Sequence, residues 1–231
     1  MRTYTLRRLV RDADAGTAGM DVVMATHPGG GPGARLATDS PLGTEVVVIA
    51  PGRTLPPARA GVDLRPGTAD HLVLAGDETA APAICASLED LPVRGATVEA
   101  FVEVPSADDV LPVEGVAGRL VSHWTDRHDN TVRLTWLPRR GDHGDPLVES
   151  VRDHLRGPAT PAAVNPDLPE VDVDHDLLWE VPADVPGGLF VWVAGEAAMV
   201  RTLRHTLVGD LGIDRSRVAF MGYWRRGRTE S

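Results

Sequence analysis

The chain has 231 residues, 42% hydrophobic and 24% charged, with a formal net charge of −10 and a sequence pI near 5.2. That is enough core-forming material for one or two domains, and a field of this sign disfavours nucleic acid and anionic membranes as partners. All 23 basic residues are Arg, which excludes a Schiff-base lysine and a P-loop lysine; an anionic ligand must be held by Arg, backbone N–H groups or helix N-termini.

Taken in chain order, residues 3–10, 21–26 and 45–50 read as strands, the last two as short apolar runs bounded by Gly and Pro. Residues 31–37 between them read as a loop opening a short helix. Residues 51–68, rich in Pro and Gly, read as an irregular linker and carry the expected domain boundary. Beyond it, strands are expected at 72–75, 97–104, 131–137, 189–194 and 218–224. Helices are expected at 79–91, 145–155 and 196–207, and 157–174 reads as a Pro- and Asp-rich loop. Strands separated by helices argue for a parallel sheet covered on both faces. The reading is therefore a small β-rich N-terminal piece followed by a doubly wound α/β domain. No apolar run approaches the roughly 20 residues of a membrane span, no apolar h-region follows Met1, and Cys85 is alone. A cytoplasmic setting is expected.

Two junctions share one plan. Gly76-Asp77-Glu78-Thr79-Ala80-Ala81-Pro82-Ala83 follows a strand and opens a helix; Val193-Ala194-Gly195-Glu196-Ala197 does the same. In a parallel sheet both loops fall at the carboxyl edge, where ligands bind, and helix N-termini there suit phosphate. Thr79 is expected to cap its helix, and Ala80 and Ala81 to let a ligand approach the backbone. Arg201 and Arg204 read as a solvated helix face. In Arg2-Thr3-Tyr4-Thr5, a Tyr beside an Arg suits a flat ligand bearing phosphate. Gly222-Tyr223-Trp224-Arg225-Arg226-Gly227 sets two aromatics beside two Arg, with plain core packing as the other reading of the Trp224 ring. His123, His128 and His143, among Asp126, Asp129, Asp142 and Asp145, read as polar loops because their spacing fits no metal motif. Cys85 reads as a small buried hydrophobe.

In order, these stretches, with His27, Gly31-Pro32-Gly33-Ala34 and Trp136-Leu137-Pro138-Arg139, resemble the siderophore-interacting protein family, the NAD(P)H-dependent ferric-siderophore reductases of the ferredoxin-reductase superfamily. The resemblance implies a partial antiparallel FAD-binding β-barrel in residues 1–60 and an NAD(P)-binding domain in residues 69–231. In the family the Arg-x-Tyr-Thr motif lies well inside the chain. Here it starts at residue 2, so the N-terminal part of the barrel is expected to be missing and one strand edge unpaired. The resemblance assigns Arg2 to the FAD pyrophosphate, Tyr4 and Thr5 to the isoalloxazine, and His27 to the flavin site. Gly31, Pro32, Gly33 and Ala34 would hold pyrophosphate. Gly76, Asp77, Glu78, Thr79, Ala80, Pro82, Gly195 and Glu196 would line the nicotinamide nucleotide, and Tyr223 and Trp224 would lie near the flavin. The implied substrate is a ferric siderophore, with no side chain required as nucleophile and no resident metal. His123–Asp129 stands where the family has no such segment and reads as an insertion. Two other readings stay open: a member that binds nucleotide but no flavin, and a flavin reductase with a different acceptor.

Overall fold

The computed structural model describes residues 4–12, 14, 16–26, 31–49, 63–156, 178–183 and 185–227. The greater part of the expected 51–68 linker and the expected 157–174 loop lie outside these residues. The N-terminal part contains β1 (Leu6–Asp12) and β2 (Thr17–Val22), an antiparallel pair with Leu9 opposite Met20. Helix α1 (Pro32–Asp39) follows, with Pro32 in the first turn, where its missing N–H costs nothing. The strand expected at 21–26 therefore starts earlier and ends at Val22, because the turn at Gly16, with φ at +62°, sets the hairpin register. Residues 45–49 are not a strand: Val47 is 94% and Ile49 80% exposed, and no described strand runs beside them. An all-apolar strand needs neighbours on its edges, and β1–β2 is a separate two-stranded sheet.

The second part is a seven-stranded sheet. Its strands are β3 (His71–Gly76), β4 (Thr97–Val104), β5 (Val121–Thr125), β6 (Thr131–Pro138), β7 (Trp179–Glu180), β8 (Leu189–Glu196) and β9 (Val218–Trp224), in the order β5-β6-β4-β3-β8-β9-β7. The five central strands are parallel, and β5 and β7 are antiparallel edges. The segment at 123–129 is ordered within the sheet. It supplies the end of β5 and a turn in which the Asp126 carboxylate accepts the His128 and Asn130 amides at 2.8 and 3.0 Å.

Side-chain alternation divides the core between the two faces. Leu72, Leu74, Val98, Val102, Val132, Leu134 and Trp192 pack with Ile84, Cys85 and Leu88 of α2 (Ala81–Glu89). Val73, Val191, Val193 and Phe220 pack with Leu147 and Val151 of α3 (Asp145–Leu155) and with Val200 and Leu203 of α4 (Ala197–Arg204). Each large side chain buried this completely contributes roughly 1.5–3 kcal/mol. Burial pushes the Cys85 thiol up to about 12, so it packs as a hydrophobe. The β1–β2 ribbon is tied to this body through Arg7, whose guanidinium is doubly bonded to Glu89 at the end of α2 and also donates to the Pro112 carbonyl at 2.9 Å. No helix among the described residues is long and apolar enough to cross a membrane.

Candidate functional site

The chain adds β4 and β6 on one side of β3, then returns to add β8 and β9 on the other. Strand order therefore reverses between β3 and β8, and the crevice outside their carboxyl ends is where open parallel sheets bind ligands. Both predicted junctions meet there. Gly76 pairs with Ala194, and Gly195 follows directly. A Cβ on Gly76 would sit 2.5 Å from the Ala80 Cβ and 2.7 Å from the Ala194 carbonyl oxygen. Gly195 has φ at +144°, and its Cβ would lie 2.7 Å from the Asp77 carboxylate. These glycines let two loops press together; their space is filled by protein. Ala80 and Ala81 are likewise buried, so their small size serves packing and not an exposed backbone, contrary to the expectation.

Asp77 is the centre of the site and is fully buried. Its Oδ1 accepts the Thr79 amide at 2.9 Å and the Thr79 hydroxyl at 2.6 Å. Its Oδ2 accepts the Glu196 amide at 2.8 Å and the Trp224 indole N–H at 3.0 Å, with His143 Nε2 at 3.4 Å. Thr79 is thus not the helix cap: α2 starts two residues later, capped at Ala80 without a side-chain bond. Burial alone would raise the Asp77 carboxyl, but His143 and the donated hydrogen bonds overcome it and hold it below the usual range. Trp224 reaches this position because the β8–β9 register breaks at the Gly195/Glu196 step, which re-aims the last residue of β9.

A second layer surrounds that carboxylate. The His143 side chain is 3% exposed and its ring meets Trp224 edge-on at 5.6 Å, so it is no solvated loop residue as the sequence implied. Burial pushes its pKa down, yet Asp77 outweighs that and the net shift is upward. Arg139, just past β6, bridges Glu78 at 2.7 Å and Glu103 at 2.6 Å, and Glu103 also accepts the Gly144 amide at 3.0 Å. Burial disfavours the Arg139 charge, but these two carboxylates raise it overall. Asp77, Glu78 and His143 offer three ligand atoms within 4.8 Å of one another. The same Asp77 oxygen that faces His143 already accepts the Glu196 amide and the Trp224 indole N–H. Glu196 caps α4, accepting the Met199 amide at 2.9 Å.

The expected residues fall into two groups. Gly76, Asp77, Glu78, Thr79, Gly195, Glu196 and Trp224 meet at the β3–β8 edge, with Ala80 and Pro82 packed behind them. Tyr4 comes against Gly33 in α1, where a Cβ would overlap the Tyr4 hydroxyl, so the Tyr4-Thr5 and Gly31-Pro32-Gly33-Ala34 stretches are neighbours. Arg2 and His27 lie outside the described residues. Tyr223 is the ring that packs inward: it stacks on Trp179 at 5.9 Å and meets Trp192 edge-on, and burial raises its phenol. Arg204 is also no surface residue; it is 3% exposed and its Nε donates to Glu180 at 3.2 Å. The sequence reading missed His143, Glu103, Gly144 and the role of Arg139. Glu103 and Arg139 carried a local signal, each a charged residue at or just past the carboxyl end of a central strand.

A family model described as siderophore-interacting protein matches residues 69–227. The uncharacterized protein Rv2895c of Mycobacterium tuberculosis is 32% identical over 233 residues, covering 100% of this chain and 66% of that protein. The ferric vibriobactin reductase ViuB of Vibrio cholerae is 25% identical, covering 99% of this chain and 66% of its own length. Among solved structures, the siderophore-interacting protein SipS from Aeromonas hydrophila aligns with a TM-score of 0.56 at 25% identity, over 99% of this chain and 69% of that one. A siderophore utilization protein from T. fusca aligns with a TM-score of 0.54 at 28% identity, over 99% and 67%. The chain thus spans about two thirds of the length of these relatives. With most of the chain matched by the family model, including every strand of the sheet and both switch-point junctions, the protein belongs to the siderophore-interacting protein family.

Proposed function

We propose that this chain takes part in flavin-dependent reduction of ferric siderophores, with NAD(P)H as electron donor and FAD as carrier. The observation that carries the reading is the meeting of the two strand-Gly-acid-helix junctions at the one point of the sheet where strand order reverses. The kinship with the ferric vibriobactin reductase supports the substrate class.

The residues fit a dinucleotide. The acidic side chains at the edge are already committed: Asp77 to N–H donors and His143, Glu78 to Arg139. Arg139 beside Glu78 and His143 beside Asp77 offset part of their negative charge toward a phosphate. Trp224 is fixed by its indole N–H and offers a flat surface at the mouth of the crevice. For flavin, Tyr4 is 41% exposed and stands over the start of α1, so one ring face is available for stacking. Tyr4 and the start of α1 would hold the flavin, which would supply hydride acceptance from a nicotinamide and single-electron delivery to Fe(III). The protein's part is to hold, orient and exclude water.

The test is formation of Fe(II), read with a ferrous chelator, from a ferric siderophore in the presence of the protein, FAD and NAD(P)H. Fe(II) that depends on all four components supports the reading; no nucleotide binding overturns it. One observation favours the flavin-free alternative: the described N-terminal residues contain only two strands, and residues 46–49 leave their side chains exposed. Nucleotide binding without any FAD binding would select it.

A further inference from the structure

Arg7 stands at an irregularity in β1. Leu6 pairs with Val22 and Arg8 with Asp21, so Arg7 is the extra residue of a bulge, with no opposite number on β2. A bulge re-aims a side chain, and this one turns the guanidinium out of the ribbon toward α2, against which β1 packs. The Arg7 side chain is 8% exposed. Its Nη1 and Nη2 both donate to the Glu89 carboxylate, Nη2 at 2.6 Å, and Nη2 also reaches the Pro112 carbonyl at 2.9 Å. Glu89 Oε1 accepts the Glu114 amide at 2.7 Å as well. One guanidinium fork thus joins β1, the end of α2 and the 112–114 segment, and a two-point pair of this kind fixes orientation as well as distance.

Glu89 is not placed to serve its own helix. It is the last residue of α2, whose last turn has no basic residue, and the partial negative charge of a helix C-terminus disfavours a carboxylate there. Arg7 supplies the positive charge from the N-terminal part. The two ends of this tie lead to the two halves of the proposed site. On one side, Tyr4 and Thr5 immediately precede β1, and Tyr4 rests on Gly33 at the start of α1. On the other, α2 runs back to the β3 junction, where the Asp77 carbonyl accepts the Ala80 and Ala81 amides, each at 3.0 Å. Ile84, Cys85 and Leu88 bury α2 on the sheet, so the helix carries position over about 13 Å as a rigid rod.

We propose, resting on the flavin and nicotinamide reading above, that Arg7 and Glu89 are positioning residues that hold the Tyr4–Thr5 segment and α1 at a fixed distance from the β3–β8 crevice. They act through Tyr4 and through α2 and need touch no cofactor. The step they serve passes a hydride, one proton with two electrons, from the nicotinamide ring, which is oxidised, to the flavin, which is reduced. It requires the reacting atoms about 3–3.5 Å apart, and a misplacement of about 1 Å costs on the order of 100-fold in rate.

The first test needs no cofactor. Spin labels on Thr17→Cys in β2 and Glu149→Cys in α3, both exposed positions, report the distance between the two parts by pulsed EPR, since the native Cys85 is buried. The parent should give one narrow distribution. Arg7→Gln and Glu89→Gln should each broaden it, and Arg7→Lys, a point charge without the fork, should fall between. The second test sets affinity against rate. In Arg7→Gln the Kd for FAD and the Kd for NADPH, each titrated alone, should stay within about threefold of the parent, because each cofactor is held by one part. Flavin bleaching by saturating NADPH, followed anaerobically by stopped flow, should slow about tenfold or more. Distributions that stay narrow in both Gln variants overturn the proposal, and so does broadening that leaves the bleaching rate within about threefold of the parent. A rate loss matched by an equal loss of either affinity marks a merely structural tie and overturns it too. A parent that fails to bind either cofactor overturns the functional reading and this proposal together.

Discussion

Replacing Asp77 by Ala removes one carboxylate and disconnects four elements at once. Thr79 loses two bonds, of 2.9 and 2.6 Å, the Glu196 amide one of 2.8 Å, the Trp224 indole one of 3.0 Å, and His143 its opposite charge. A hydrogen bond to a charged group contributes roughly 1.5–3 kcal/mol, and His143 can release its proton once Asp77 is gone, so the four donated bonds carry most of the loss. Water entering the space left by the side chain recovers part of the hydrogen bonding, so the net loss should be about 4 kcal/mol. For a protein of this size each kcal/mol lowers Tm by about 2–4 °C, giving a fall of roughly 8–16 °C. Urea unfolding followed by tryptophan fluorescence measures the loss directly, and Trp224 should report a wetter environment in the folded state. A loss below about 1 kcal/mol would refute the reasoning, because it would mean these contacts are not made together in solution.

The pH dependence follows from the same pair. His143 has a raised folded-state pKa, so its contribution is complete below its unfolded value near 6.5 and is lost as pH rises through the folded value. The stability gap between the parent and His143→Gln should therefore be larger at pH 6 than at pH 9, by chemical denaturation at each pH. Asp77 has a lowered pKa, so its contribution is present above about pH 4 and is lost as pH falls through the folded value. Gly195→Ala should cost several kcal/mol, since φ is +144° and the new Cβ would meet the Asp77 carboxylate at 2.7 Å, whereas Gly188→Ala, with only Arg217 at 3.6 Å, should cost about 1 kcal/mol. Arg7→Ala should cost roughly 2–4 kcal/mol and speed proteolytic cleavage in β1–β2, because Glu89, only 17% exposed, would lose its main partner. Tyr4→Ala should weaken FAD about tenfold in a fluorescence-quenching titration; an unchanged affinity would mean the flavin lies elsewhere.

The central sheet was legible because its parallel strands are buried on both faces and read as apolar runs. The expected limits of β4, β9 and α3 match those observed. The edge strands were not legible. Val121–Thr125 alternates weakly and carries His123, and Trp179–Glu180 is only two residues long; both exist because a neighbouring strand offers an open edge. The switch-point glycines were visible as a repeated local plan, but their reason was not: each makes room for a residue brought up from a distant part of the chain. His143 shows the same limit. Its neighbours in sequence are polar, while the Asp77 and Trp224 that bury it arrive from β3 and β9. Arg204 reads as one more basic residue on a helix, and only the placement of Glu180 on an edge strand reveals its partner.

Hydrogen–deuterium exchange with and without saturating NADPH tests most directly whether the β3–β8 crevice is the nucleotide site. Slowed exchange should be confined to residues 76–83 and 195–202, to the loop leading into α3 and to the end of β9 around Trp224, all at the carboxyl edge of the sheet. Exchange at the amino edge, around His71 and Leu189, should be unchanged. Protection at the amino edge, or NADPH binding that protects neither junction, would contradict the account.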